Sequence, residues 1–391
     1  MKIDWDKGGG FPSREQEHLL RAALLKGEVA QSSFEEWLSM VDLDEIDLGS
    51  YRLLPLLYAN LKKSKIAHPL MNKFKGAHRH TWYENQVLFQ AMADLLRLFR
   101  KSGIKTMALK GAVLNQLYYG DSGQRPMQDF DILVPTTDAV KAIALIRQSH
   151  WRSKIPFQRL LKTYRLSFTH ACSFRNPRGL EMDLHWHVLY TSLNPLADED
   201  FWQSAVEIGI HEVPPLAMNP TDQLFHVCVH GACWNYVPPI RWVADAAKIL
   251  EKTPEIDWNR MQFLAEKHRL ILPLRDTLKY LKDLLDAPVS SDLLGALNKY
   301  SISKAQRLEY RARNTPNDTR PPFLELWLQI SRYRRSEKGV GALRFILDFP
   351  RFLQVAWAID HLWQMPFIII SRGLGRILNI AVGARKKIPM G

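Results

Sequence analysis

The 391-residue chain is short of cysteine, having only Cys172, Cys228 and Cys233, with no CxxC pair among them. That excludes a disulfide framework and a cysteine zinc site, and it fits a reducing cytoplasm. The opening stretch MKIDWDKGGGFPSREQE lacks the apolar core of a secretory signal, so nothing in it points to export. Twenty glycines and 22 prolines are too few for a collagen-like or low-complexity chain, and no internal repeat is present. Acidic residues are in deficit. Forty Asp plus Glu face 53 Lys plus Arg, a formal net charge of +13. Such a balance attracts polyanions, whether nucleoside triphosphates, nucleic acid or an anionic membrane surface, without choosing among them. No recognisable RNA-binding module accompanies it.

What is present is globular: 46% hydrophobic and 24% charged residues, in a chain long enough for two or three domains. From Glu15 to Phe99, apolar residues recur at helical spacing, and Gly103 suits a helix stop. The texture then changes. IKTMALKG (104–111) is a short apolar run, AVLNQLYYG (112–120) a short helix, and DFDILVP (129–135) alternates as a strand does. TTDAVKAIALIRQSH offers Thr137 as the cap of an amphipathic helix, with Asp138 at its positive end. RLSFTHACSF (165–174) and LEMDLHWHV (180–188) flank the turn signal NPRG, which predicts a hairpin. Four further amphipathic stretches run to about residue 312, and NTPNDTRPP (314–322) reads as a linker. The expected fold is α+β: a small mixed β-sheet at 104–190, flanked by N-terminal helices (1–103) and a helical domain (191–312), with a linker and apolar-basic helical tail at 313–391.

In a strand, alternate side chains share a face, so Asp129 and Asp131 point one way while Phe130 and Ile132 point into packing. Two anions this close repel. A divalent cation or a buried Arg relieves them, as does an edge strand whose polar face meets water; the local pattern leaves these open. Glu181, Asp183, His185 and His187 share a face of the later strand and would set further acids beside the first pair if the two strands are neighbours. Two-metal phosphoryl or nucleotidyl transfer needs about three such carboxylates.

LKG (109–111), a helix, RPMQDFDILV (125–134) and EMDLHWH (181–187) together resemble the uncharacterised nucleotidyltransferase family of the DNA polymerase beta-type nucleotidyltransferase superfamily, over roughly residues 50 to 290. The resemblance implies a nucleotidyltransferase core at 104–190. It implies Mg²⁺, at a two-ion site once a nucleoside triphosphate is bound, ligated by Asp129, Asp131 and Asp183. The third acid would position or deprotonate the attacking group. Gly111 would let the turn and the following helix approach the triphosphate. Ala112 stands where the superfamily turn usually carries a second Gly or a Ser, and the long gap to Asp129 leaves Tyr118–Gln124 as a loop at the site mouth. Lys110 and Arg125, one beside each motif, are candidate phosphate partners, or else simple partners of Asp129 or Asp131.

Glu181 and His185 read as residues that support the metal ligands, since a neutral histidine beside an acid often orients it. His226 and His230 share a helix face, but HVCVH lacks the glutamate of the zinc-protease motif, and they read as core or lining. Arg241 and Asp245, four apart, read as a helical pair, and Trp234 and Trp242 as packing residues. The stretch Phe345–Val382 is unusually apolar for a tail, yet Asp360, His361, Arg372 and Arg376 interrupt it before about 20 apolar residues accumulate. With the basic RKK at 385–387, residues 345–387 read as an interfacial helix on an anionic membrane, or equally as a segment packed on the body or a partner.

The function expected is transfer of a nucleoside monophosphate from an NTP to an acceptor hydroxyl. The acceptor is open among a small molecule, a sugar, a protein and RNA, and oligomeric state is not legible. The competing reading is a nucleotide- or partner-binding module without turnover, adjacent to a membrane as an accessory of polysaccharide assembly.

Overall fold

A computed structural model of the chain describes residues 10–371 apart from 162, 195, 211–212, 232, 234–239, 316–319 and 337–340. Arg372, Arg376, the RKK cluster and Trp234 lie outside the described residues. The architecture is mixed α+β. One six-stranded sheet is built from β1 (Met107–Leu109), β2 (Asp129–Leu133), β3 (Ala171–Arg175), β4 (Glu181–His185), β5 (Val206–Glu207) and β6 (Leu216–Ala217), in the order β3-β4-β2-β1-β6-β5.

Alternate side chains along the central strands meet two different cores. Ala108, Phe130, Ile132, Met182 and Leu184 face one core, closed by the long helix Met71–Lys101 and by helix Ala139–Gln148. Met107, Leu109 and Leu133 face the other, which is filled from helices Pro220–Gly231, Arg241–Lys252 and Ile271–Leu285. The N-terminal helices join this second core. Phe11 meets Trp242 and Tyr280 edge-on, and Trp242 Nε1 donates to the Gly10 carbonyl at 2.9 Å. One apolar core therefore spans the N-terminal helices and the helical half of the chain.

Three local expectations are corrected. Residues Arg165–Phe168 are helical, within Thr163–Phe168, so the hairpin's first strand begins only at Ala171. Thr137 caps nothing: a 3-10 turn, Thr136–Asp138, precedes helix Ala139–Gln148, which has no side-chain cap. The sheet also does not end near residue 190, because β6 pairs in parallel with β1 and β5 adds to its edge. Such two-residue strands are too short for an alternation signal.

The apolar tail is partly folded onto the body. In helix Ala342–Ala356, Phe349, Phe352 and Leu353 gather on Tyr333 and Phe168. Among the described residues no helix is long and apolar enough to cross a membrane.

Candidate active site

The register of β2 against β4 creates the site. These strands are parallel neighbours, with Asp129 opposite Glu181 and Asp131 opposite Asp183. Because side chains alternate, Asp129, Asp131, Asp183 and His185 lie on the face turned toward the helical core, while their apolar neighbours hold the opposite face. Ligand atoms of Asp131, Asp183 and His185 lie within 4.8 Å of one another.

Asp131 is buried and receives two partners on one oxygen: Lys110 Nζ at 2.7 Å and His185 Nε2 at 2.9 Å from Oδ1. Burial opposes its charge, yet Lys110 and His185 outweigh burial and hold the carboxyl well below the usual range. The bond to an ionised carboxylate makes His185 the donor at Nε2, and its buried Nδ1 has no partner among the described residues. Asp129 behaves oppositely. Burial, then repulsion from Asp131 and Asp183, raises its carboxyl to about 6. Among the described residues, neither the Asp129 nor the Asp183 side chain has a hydrogen bond. Three carboxylates thus crowd one face with a single ammonium among them, a donor set that fits a hard divalent cation. Lys110 itself sits at φ 47°, in the left-handed region, so the backbone bends sharply where β1 hands over to helix Lys110–Tyr118. Burial depresses its ammonium, but Asp131 prevails and raises it.

The other sequence candidates fall elsewhere. Arg125 is buried and bidentate to Asp245, with Nε to Oδ1 at 2.7 Å and Nη2 to Oδ2 at 2.8 Å; Tyr119 donates to the same carboxylate at 2.6 Å. Its partner is thus neither Asp129 nor Asp131, and Asp245 is not paired with Arg241, whose Nη1 donates to the Pro126 carbonyl. Gly111 makes room for this joint, because a Cβ there would stand 2.9 Å from Arg125 Nη1 and 3.3 Å from Met127 Cγ. The Ala112 side chain is buried in the sheet's first core, so only its backbone is available to a ligand. Glu181 is exposed and lies 3.5 Å from Arg175 Nε. His187 leaves the strand face altogether and meets buried Asp198 at 2.6 Å. The segment before β2 is pinned by Asn85, which donates to the Ser122 and Arg125 carbonyls and accepts from Met127 N.

Sequence reasoning missed Arg52. It lies partly exposed in the N-terminal helices, where burial lowers and Asp129 raises its guanidinium. No motif marks it, since only the packing of those helices onto the core brings it to the acids.

Residues 50–286, more than half of the chain, match the model of the uncharacterised nucleotidyltransferase family. The chain belongs to that family. No curated protein matches this member of it. One similar solved structure is an antigenic nucleotidyltransferase-like protein from Paracoccidioides brasiliensis, 16% identical, covering 56% of this nucleotidyltransferase-family chain and 95% of that one at a TM-score of 0.33.

Proposed function

We propose that the chain is a Mg²⁺-dependent nucleotidyltransferase that moves a nucleoside monophosphate from a triphosphate, ATP among them, to an acceptor hydroxyl, releasing pyrophosphate. The reading rests above all on one observation: Asp131 and Asp183 sit in register on adjacent strands, with Asp129 on the same face. Asp129, Asp131 and Asp183 would hold Mg²⁺, and when bound it supplies neutralisation of the triphosphate and the leaving pyrophosphate. His185 and Lys110 fix the orientation and charge of Asp131. Arg52, partly exposed, bonded to the Gln128 side chain and within the field of Asp129, could turn to phosphate oxygens, whereas Arg125 is held by Asp245. Asp183, whose side chain makes no hydrogen bond among the described residues, positions the acceptor hydroxyl and takes its proton as the oxygen bonds to the α-phosphorus. The bond from that phosphorus to the bridging oxygen breaks, and pyrophosphate carries away the electron pair.

The experiment incubates purified protein with Mg²⁺, each α-labelled NTP and cell extract. Label should transfer, and transfer should vanish in Asp129→Ala and Asp131→Ala; transfer surviving both changes removes this site from the mechanism. The Lys110 ammonium on Asp131 favours one second reading, in which lysine takes the cation's place and the site binds a nucleotide without turnover. Nucleotide binding with no labelled product in any fraction selects it.

We also propose a peripheral membrane contact for the C-terminal region. Helix Ala342–Ala356 is apolar on its outer side as well as its inner one: Leu343, Ile346 and Leu347 are 73%, 67% and 61% exposed. Exposed Arg344 and Arg351 flank them, as suits an anionic bilayer. Binding to vesicles containing phosphatidylserine, lost in Ile346→Glu/Leu347→Glu, supports this; absence of binding by the intact chain removes it.

A further inference from the structure

Beside the acids lies a cavity of about 240 Å³ whose walls come from both halves of the molecule. Lys110 and His185, the two side chains bonded to Asp131, form part of its lining, so it adjoins the acidic cluster through them. Opposite them stand His226 and His230, one turn apart on helix Pro220–Gly231 with ring centroids 5.6 Å apart. His170, just ahead of β3, brings a further ring 5.4 Å from that of His185. Val229 adds an apolar patch, and Tyr190 closes one side beneath the Arg313 guanidinium, 5.0 Å from its ring centre. Arg313 belongs to helix Lys304–Arg313, beyond the residues matched by the family model.

We propose that this cavity is the acceptor subsite and that the acceptor is a small, uncharged polyhydroxylated molecule of monosaccharide size. The inference rests on the nucleotidyltransferase reading of the same site and names its acceptor.

Size is the first argument. At about 30 Å³ per water, the volume equals roughly eight waters, below the range of about 300–1,000 Å³ that accommodates larger ligands. A hexose fits such a space. Charge is the second. Among the described residues the two cationic groups at the wall are paired with carboxylates, Lys110 with Asp131 and Arg313 with Glu309, which lowers the attraction for a carboxylate or phosphate. The hydrogen-bonding inventory is the third. The side chains of His170, His226 and His230 make no hydrogen bond among the described residues, and a neutral imidazole offers one donor and one acceptor. That pairing matches hydroxyl groups, which also donate and accept. Burial holds the His226 imidazole neutral, its pKa well below the ordinary value. A polyol would pair with these imidazoles while its apolar ring face meets Tyr190.

Saturation-transfer NMR on the full chain, against a fixed panel of hexoses, hexosamines, pentoses, inositol and glycerol, tests the proposal. At least one member should bind. Val229→Phe, which fills the cavity, should abolish binding, and His230→Leu, which removes a donor and an acceptor, should weaken it about fivefold to tenfold. Thermal unfolding of both variants verifies that they fold. No binding by any panel member, or binding unchanged in both folded variants, overturns the proposal. The two readings fail separately. Polyol binding without any nucleotide transfer keeps the cavity and removes the enzyme; transfer to RNA or protein with no polyol bound does the reverse.

Discussion

Asp131 and Asp245 are both buried carboxylates that meet a cation, yet their surroundings divide sharply. Asp245 has one arginine on two bonds and a tyrosine on a third, a balanced set that ties helix Arg241–Lys252 to the approach to β2. Asp131 has one lysine and one histidine, both on the same oxygen, and two further carboxylates nearby. The first arrangement is complete and holds parts together. The second carries surplus negative charge and unpaired atoms, which is the condition for taking up something from outside.

Substitutions at the two carboxylates test the contrast most strongly. Asp131→Asn should cut nucleotide transfer by about 10³-fold or more, about 4 kcal/mol, with a smaller fall in thermal midpoint than Asp245→Ala, because Asp129 and Asp183 remain to face Lys110. Asp245→Ala should do the reverse, costing about 3 kcal/mol in denaturant unfolding because Arg125 is left buried and unpaired. Similar stability losses at both positions would erase the distinction.

Acid sensitivity needs a reference outside both clusters, and His268 provides it. Stacked on Phe201 and 3.0 Å from Ser192 Oγ, it is lowered by burial, and secondarily by Lys267, to about 4. A depressed histidine stays neutral when folded but takes a proton when unfolded. Its stability contribution is therefore full above the unfolded pKa near 6.5 and is lost as pH falls toward 4. The thermal midpoint should drop across that window by the equivalent of about 2 kcal/mol from this residue, and His268→Gln should flatten the drop.

Gly111→Ala probes the joint's tightness. Its new methyl meets an Arg125 that Asp245 already pins, and should cost about 1 to 2 kcal/mol in denaturant unfolding. The smallest effect should come from Arg52→Ala, which ought to raise the KM for NTP about tenfold, about 1.4 kcal/mol, with kcat nearly unchanged. A loss in kcat of the same size would mean that Arg52 acts on the transition state.

Much of the site could be read in the sequence because it depends on local alternation. Asp129, Phe130, Asp131 and Ile132 declare two faces by themselves, and the NPRG turn announces the strand that carries Asp183. Partners distant along the chain were another matter. Arg125 and Asp245 are 120 residues apart, and nothing local says that the arginine reaches away from the nearby aspartates. The i,i+4 spacing of Arg241 and Asp245 pointed to a pair, but the joint to Arg125 and Tyr119 claims the carboxylate instead. His226 and His230 were visible as a shared helix face; the cavity they line exists only because β4 and helix Lys304–Arg313 close around it.

The register of β2 against β4 carries a practical lesson for the bench. A slip of β2 by one residue would turn Asp129 and Asp131 toward the first core and push Phe130 and Ile132 out of it, leaving Asp183 alone. No partly competent fold lies between the two, so a molecule either has the whole carboxylate set or has no stable sheet. Activity per milligram should then count correctly folded molecules, and a weak preparation should resolve into a fully active fraction and an inert one rather than a uniformly sluggish enzyme.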